Sequence, residues 1–323
     1  MIVKVQEIKL EELDPKRFVD EKVEELRKII GNNMAINALS GGVDSSVVTM
    51  LAHRAIGDRL KTYFIENGLM REGEPRYVVS VFRKLGVRVE LVDAKKEFFD
   101  SLKGIEDPEM KREAITQTFY KKVFGKIVKD SGIRYLLQGT NYTDIEETVA
   151  KIKRQHNVLE QLGIDTEKEF GYKVVEPIIQ LRKPAVRKVA EYLGLPKSIY
   201  ARPPFPGPAL AARIIGEVTP ERVEIVRKAT KIVEEELRST KAFQYLAILH
   251  SDKVTGLRNG RREFGLQIEV RCWDSVDAKT ATPTKISYTT LFGLANRLTS
   301  EVRGVVSVTY NIATKPPSTI EAV

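Results

Sequence analysis

Seven consecutive residues, Ser40-Gly41-Gly42-Val43-Asp44-Ser45-Ser46, bring together two glycines, three hydroxyls and a carboxylate. Adjacent glycines let a backbone approach a ligand closely, and hydroxyls beside the free N–H groups of a helix start make a cradle for phosphate oxygens. The loop lacks the lysine of the Gly-x4-Gly-Lys-Ser/Thr pattern, so transfer of a γ-phosphoryl group is not its natural chemistry. A bare Ser-Gly-Gly would read as a capped helix after a turn. The full pattern, placed between a buried strand and a helix, reads as an anion site.

The elements that must position this loop follow from periodicity. Residues 34–39 form a short apolar run before the loop, and 47–55 have a helical pattern after it. The same alternation continues with a strand at 60–65, a helix at 76–85, a strand at 87–92, a long helical stretch, and a strand at 133–137. A helix at 20–30, with Val23, Leu26, Ile29 and Ile30 on one side, precedes them. Strands alternating with helices predict an α/β fold, a parallel sheet with helices on both faces. Ligands of such sheets sit beyond the carboxyl ends of the strands, where 40–46, 66–72 and 139–147 all fall.

Four prolines within Arg202–Pro208 exclude a regular helix or a central strand and set a boundary. The expected domains are 1–201, with 1–13 as an extension, and 202–323. In the second, Val223, Val226, Ala229, Ile232, Val233 and Leu237 form one helical stripe, Asn259-Gly260 marks a hairpin turn, and 289–302 reads as a helix. The run 264–273 alternates, with Leu266, Ile268, Val270 and Cys272 on one face and Gln267, Glu269 and Arg271 on the other; 305–312 alternates again. A smaller α/β domain is expected.

The 323 residues carry 53 Lys and Arg against 44 Asp and Glu, a formal charge of +9 that suits anionic ligands without naming one. One cysteine and three histidines argue against disulfides, thiolate zinc sites and a cysteine-based amidotransferase triad within this chain. No apolar run approaches membrane-spanning length, and the first ten residues carry Lys4, Glu7 and Lys9. A cytoplasmic protein with no membrane partner is expected.

The 40–46 loop resembles the pyrophosphate loop of the ATP pyrophosphatases, which cleave ATP to AMP and pyrophosphate. Further segments narrow the resemblance: Gly68–Glu74 (GLMREGE), Asp107–Arg112 (DPEMKR), Gln138-Gly139-Thr140 with Asp144 and Glu147, Arg202–Thr219 (RPPFPGPALAARIIGEVT) and Lys315–Glu321 (KPPSTIE). From about Asp14 to Glu321 the chain is similar to the ATPase subunit of two-subunit GMP synthetases. That resemblance implies ligation: the 2-oxo oxygen of XMP attacks the α-phosphorus of ATP, pyrophosphate leaves, and ammonia displaces AMP to give GMP. It further implies Mg²⁺ as cofactor, ATP as co-substrate, a separate glutamine amidotransferase that supplies ammonia, and a homodimer formed through the C-terminal domain.

Carried over by position, the resemblance assigns Ser40, Gly41, Gly42, Val43, Asp44, Ser45 and Ser46 to ATP, with Phe64, Ile65 and Gly139 lining the adenosine. Asp44 would hold Mg²⁺, and Asp44, Ser45 and Lys153 are the catalytic candidates. Asp144, Arg213, Gln244, Lys315, Ile320 and Glu321 would bind XMP. Two stretches depart from the family pattern: Arg154, Gln155, Leu159 and Glu160 alter the lid after Lys153, and Ala322-Val323 replace a usual Trp-Glu. Cys272, on an apolar strand face, is expected to be a core residue. Two other readings stand beside the synthetase. A tRNA-modifying ATP pyrophosphatase would fit the charge, although aromatic interleaving is missing around Arg258, Arg261 and Arg262 and nucleic acid is not the expected partner. A nucleotide-binding protein without turnover would fit the altered lid.

Overall fold

The computed structural model describes residues 5–149, 171–276 and 278–322, with the backbone alone for 147–149. The chain forms two compact units, one drawn from Met1–Glu66, Glu74–Asp93 and Phe119–Arg202, the other from Asn67–Gly73, Ala94–Thr118 and Pro203–Val323. Two stretches that follow strands of the first unit therefore belong to the second.

In the first unit, β1 (Ala35–Ala38), β2 (Leu60–Glu66), β3 (Val89–Asp93), β4 (Tyr135–Leu137) and β5 (Lys173–Val175) pair in the order β3-β2-β1-β4-β5, every pair parallel. The expected α/β sheet is present, flanked by helices. The chain proceeds outward from β1 to β3 and then returns to the other side of β1 with β4, so the strand order reverses between β1 and β4. At such a reversal the connections leave in opposite directions and open a crevice at the carboxyl ends.

Helix α1 (Pro15–Ile30) starts five residues earlier than its apolar pattern suggests, because Asp14 accepts from the amides of Lys16 and Arg17 and Pro15 has the backbone angle of a first helical position. It packs with α2 (Val43–Ile56), whose interior-facing Val47, Val48, Leu51 and Ala52 are buried. After α3 (Glu74–Lys84) and β3, the expected long helix is divided into α4 (Lys95–Leu102) and α5 (Pro108–Gln117), a wide turn at Thr118–Val123, and α6 (Phe124–Ser131). The division has a local cause: Asp107 caps Met110 and Pro108 cannot continue a preceding helix. The first unit is completed by α7 (Tyr142–Val149), α8 (Lys183–Tyr192) and the single turn α9 (Lys197–Tyr200). Its N-terminal extension is tied down, Ile8 N–H donating to the Gln180 carbonyl at 3.0 Å and Arg182 to Glu7 at 2.8 Å.

In the second unit, α10 (Pro220–Leu237) buries the whole expected stripe from Val223 to Leu237 against β6 (Gln244–Arg258). Each Val, Ile or Leu of the stripe contributes roughly 1.5–3 kcal/mol by leaving water. β6 joins β7 (Arg261–Asp274) through Asn259-Gly260, both with positive φ (52° and 72°), the hairpin turn that matches strand twist. On its other side β7 pairs antiparallel with β8 (Thr282–Pro283) and parallel with β9 (Val305–Tyr310), which follows α11 (Tyr288–Glu301). Alternation in β6 is interrupted by a register shift between Leu249 and Lys253, which is why its sequence carries no clear strand pattern. Among the described residues no helix is long and apolar enough to cross a membrane.

Candidate functional site

The loop after β1 opens helix α2 with Gly42 in extended conformation at the cap position, and no side chain bonds the first amides of the helix. Those N–H groups remain without intrahelical partners and carry the positive end of the helix dipole. Inside the loop the hydroxyls organise the backbone: Ser40 N–H donates to Ser45 Oγ at 3.2 Å, Ser45 Oγ donates to the Gly42 carbonyl at 3.1 Å, and the two Oγ atoms lie 2.9 Å apart. Gly41 has φ +77°, and a Cβ there would stand 2.8 Å from Val78 Cγ2, so both conformation and space demand glycine. At the end of β4 a Cβ on Gly139 would lie 3.1 Å from the Ser45 amide, which makes Gly139 the point where β4 meets the loop.

A buried chain of hydrogen bonds holds the loop to the sheet. Thr62 on β2 donates to Asn37 Oδ1 at 2.8 Å, Asn37 Nδ2 donates to Thr49 Oγ1 at 2.7 Å, and Thr49 Oγ1 donates to the Ser45 carbonyl at 2.7 Å. The three side chains along it are buried and partnered, so the loop inherits the rigidity of the sheet. By contrast, Asp44 Oδ1, Ser46 Oγ, Gln138 Oε1 and Asn141 Nδ2 are buried without a hydrogen-bond partner, all at the carboxyl ends of β1 and β4. Unmet polar atoms cost free energy, and their gathering here suits a site that takes a polar ligand.

Three further residues, not singled out by the sequence reading, take part in these sites. Lys183, at the start of α8, forms an ion pair with Asp44 Oδ2. Arg202 donates to the Gly41 carbonyl at 2.6 Å and to Glu74 at 2.5 Å, so the last residue of the first unit fastens the glycine loop. Arg71, which the sequence shows only as part of a motif, belongs to the second unit, where it packs over the Phe205 ring at 3.9 Å and bonds Glu234 at 2.6 Å. A Lys-Pro pair at a helix start and an arginine heading a proline-rich stretch are the only signals for the first two.

Phe64 and Ile65 are buried in the sheet, so what they present to a ligand is backbone. Asp144 accepts from the Asn141 amide at 3.0 Å while Asn141 Oδ1 accepts from Thr143 at 2.9 Å, a reciprocal cap on α7. Lys153 and the rest of the lid lie outside the described residues, as does the side chain of Glu147. No group of three or more His, Cys, Asp or Glu suited to a metal occurs among the described residues.

In the second unit most of the remaining XMP candidates converge. Glu321 accepts from Gln244 Nε2 at 2.6 Å and from Arg213 Nε at 3.4 Å. Arg213 is 1% exposed, lies over the Phe205 ring at 4.9 Å, and keeps Nη1 buried without a partner. Lys111, also buried, donates to the neighbouring Ile214 carbonyl at 2.8 Å; burial, helped by the nearby Arg222 charge, pulls its ammonium down to about 8. Ile320 is packed with Trp273, Leu246 and Ile248, whereas Lys315 donates to the Ala278 carbonyl at 2.7 Å. Cys272 is a buried free thiol, pushed up by burial.

A parallel sheet with a glycine loop at its strand-order reversal, in a chain whose second unit has its own polar cluster, defines a nucleotide-using α/β enzyme of the ATP pyrophosphatase type. Residues 37–140 match the asparagine synthase family, and residues 231–322 match the GMP synthase C-terminal domain. Relatives named as one of the subunits of glutamine-hydrolyzing GMP synthase align along nearly the whole chain. That of Archaeoglobus fulgidus is 49% identical over 309 residues, covering 96% of this chain and 99% of its own. That of Pyrococcus furiosus is 46% identical over 308 residues (94% and 96%), and that of Methanocaldococcus jannaschii 45% over 313 (95% and 99%). The chain belongs to this family of GMP synthase subunits.

Proposed function

We propose that this chain is the ligase subunit that aminates XMP to GMP at the expense of ATP, releasing AMP and pyrophosphate, with ammonia delivered by a separate glutaminase subunit. The relatives' shared name favours this over a tRNA-modifying or a non-catalytic reading. The observation that carries the ATP half is the uncapped start of α2, where free amides and the unpartnered Asp44 Oδ1 lie together.

The loop Ser40–Ser46 receives the pyrophosphate end of ATP, its amides and hydroxyls matching phosphate oxygens as charge moves onto the leaving group. Lys183 and Arg202 act on either side, one beside Asp44 and the other holding Gly41 in place. Gly139 and the backbone of Phe64 and Ile65 flank the adenosine. A lone carboxylate with one unmet oxygen fits a hard cation that takes most of its ligands from phosphates, so Asp44 is the residue that would hold Mg²⁺. When bound, that ion would neutralise the charge developing on pyrophosphate.

XMP is bound by Arg213, Gln244, Lys315, Ile320 and Glu321, and Asp144 is assigned to the same ligand. The unpartnered Arg213 Nη1 suits an anionic oxygen, and the Glu321 carboxylate suits N–H or hydroxyl donors. Lys153 serves the ammonia step, in which water must be kept from the adenylated base. A homodimer through the second unit belongs to the same proposal, supported by the exposed Phe264, Tyr288, Phe292 and Ile312. So does a cytoplasmic location, in keeping with the single cysteine.

The test mixes the chain with Mg²⁺, ATP, XMP and ammonium chloride and follows AMP, pyrophosphate and GMP by chromatography. GMP and AMP should rise one for one and vanish in Asp44→Ala. AMP without GMP would remove the ammonia step from the proposal, and neither product despite nucleotide binding would remove catalysis altogether.

A further inference from the structure

The polar face of β7 is not turned to water. Glu269 and Arg271, the residues that alternation would expose, are 7% and 9% exposed. Arg271 Nε donates to Glu269 Oε1 at 2.6 Å, Asn311 Nδ2 donates to the same oxygen at 2.9 Å, and Glu269 Oε2 lies 2.8 Å from His250 Nε2. Burial pushes the Glu269 carboxyl up, but the bonds from Arg271, Asn311 and His250 more than reverse this and hold it below the usual carboxylate range. Glu269 is therefore an anion at neutral pH, and it fixes the plane of the guanidinium.

The far side of that guanidinium faces the C-terminal tail. Arg271 Nη1 donates to the Thr319 carbonyl at 2.7 Å and lies 3.4 Å from the carbonyls of both Ile320 and Glu321. The tail here is in no strand, and three carbonyls in succession turn toward one nitrogen; the Glu321 carbonyl also accepts from Thr319 Oγ1 at 2.6 Å, and the Thr319 carbonyl from Ser318 Oγ at 3.4 Å. Immediately beyond, the Glu321 side chain reaches Gln244 and Arg213. A buried cation needs acceptors on every side, and the closed tail supplies the ones that Glu269 does not.

We propose that Arg271 is a positioning residue for XMP: it clamps the carbonyls of Thr319, Ile320 and Glu321 and so delivers the Glu321 carboxylate to the base-and-ribose side of the XMP site. This rests on the proposed role of Glu321 in binding XMP. Only a forked guanidinium serves Glu269 and the tail together; an ammonium reaches one or the other.

The molecule contains its own reporter. Trp273 is the single tryptophan, 1% exposed, and packs with Ile320 while Ala322 lies against the same cluster. Release of the tail uncovers it. The experiment compares the wild-type chain with Arg271→Ala, Arg271→Lys, Glu321→Ala and the Arg271→Ala/Glu321→Ala double variant. Trp273 quenching by acrylamide reads the tail, and KM for XMP and for ATP read the two sites. Arg271→Ala should raise quenching and raise KM for XMP about tenfold, with KM for ATP within about twofold, as expected when one set of charge-assisted contacts is lost. Arg271→Lys should fall between, and in the Glu321→Ala background Arg271→Ala should raise KM for XMP by clearly less than in the wild type, since only Ile320 on the same tail is left for it to disturb.

Unchanged quenching in Arg271→Ala, an unchanged KM for XMP despite an open tail, or a double variant whose loss is the full product of the two single losses would each overturn the clamp. An unchanged KM for XMP in Glu321→Ala would instead overturn the assignment of Glu321 on which the clamp rests. Should Arg271→Ala not fold, Arg271→Lys decides on the same readouts, since it keeps a cation beside Glu269.

Discussion

The two polar regions are built on opposite plans. The loop of the first unit is one contiguous stretch whose proposed ligand groups are backbone amides and whose side-chain atoms Asp44 Oδ1 and Ser46 Oγ are unmet. The cluster of the second unit gathers Arg213 and Gln244 around Glu321, which lies 108 and 77 residues further along the chain, and those side chains already bond one another. A ligand at the loop meets mostly groups that are waiting for it, whereas a ligand at the cluster finds Arg213 Nη1 unmet and must otherwise compete with existing bonds. Substitution should therefore damage the loop more than the cluster, and each should fail alone.

Gly41→Ala gives the largest expected effect. It forces a side chain into positive φ and against Val78, and displacement of a phosphate-binding backbone by even about 1 Å costs about a hundredfold in rate. Formation of AMP should fall by at least about that factor while XMP binding, measured by calorimetry, stays unchanged. Loss of XMP binding as well would erase the contrast between the two regions. Glu321→Gln comes next: it keeps the shape and an acceptor for Gln244 but removes the charge facing Arg213. KM for XMP should rise about tenfold to a hundredfold, the range for a hydrogen bond to a charged group, with KM for ATP unaltered.

The same contrast explains what can be read from the sequence. The loop is legible because its chemistry is local, and the α10 stripe because a helix repeats its buried face every turn. The cluster is legible only through resemblance, since nothing in the spacing of Arg213, Gln244 and Glu321 says that they meet. Lys183 and Arg202 escape notice for the same reason: each acts on the loop from more than a hundred residues away. Glu269 and Arg271 read only as part of the polar face of a strand, because alternation identifies two faces but not what later chain will cover the polar one.

Lys111 sharpens the comparison through pH. Its buried ammonium titrates at about 8, below the 10.5 of an unfolded lysine, so between these values the unfolded chain holds a proton that the folded chain has released. Stability from this group therefore rises as pH increases from about 8 to 10.5, by up to about 3 kcal/mol from the relation between pKa shift and free energy. Urea unfolding of the wild-type chain and of Lys111→Met across that range should differ by this slope; parallel curves would show that the ammonium beside Ile214 is not strained.

The smallest effect belongs to the bonds beneath the loop. Thr49→Val keeps the side-chain shape but removes the hydroxyl that accepts from Asn37 and donates to the Ser45 carbonyl. Asn37 Nδ2 would then be buried without its acceptor, at a cost of about 1–2 kcal/mol in stability to urea. Because α2 still begins at the same place, the ATP half-reaction should slow only a fewfold and XMP affinity should not change. A larger loss of AMP formation than of stability would mean that the sheet transmits loop geometry through this chain of side chains, and not through the backbone of β1 and β4. The plan inferred for the loop would then have to include Thr62, Asn37 and Thr49 as part of the nucleotide site.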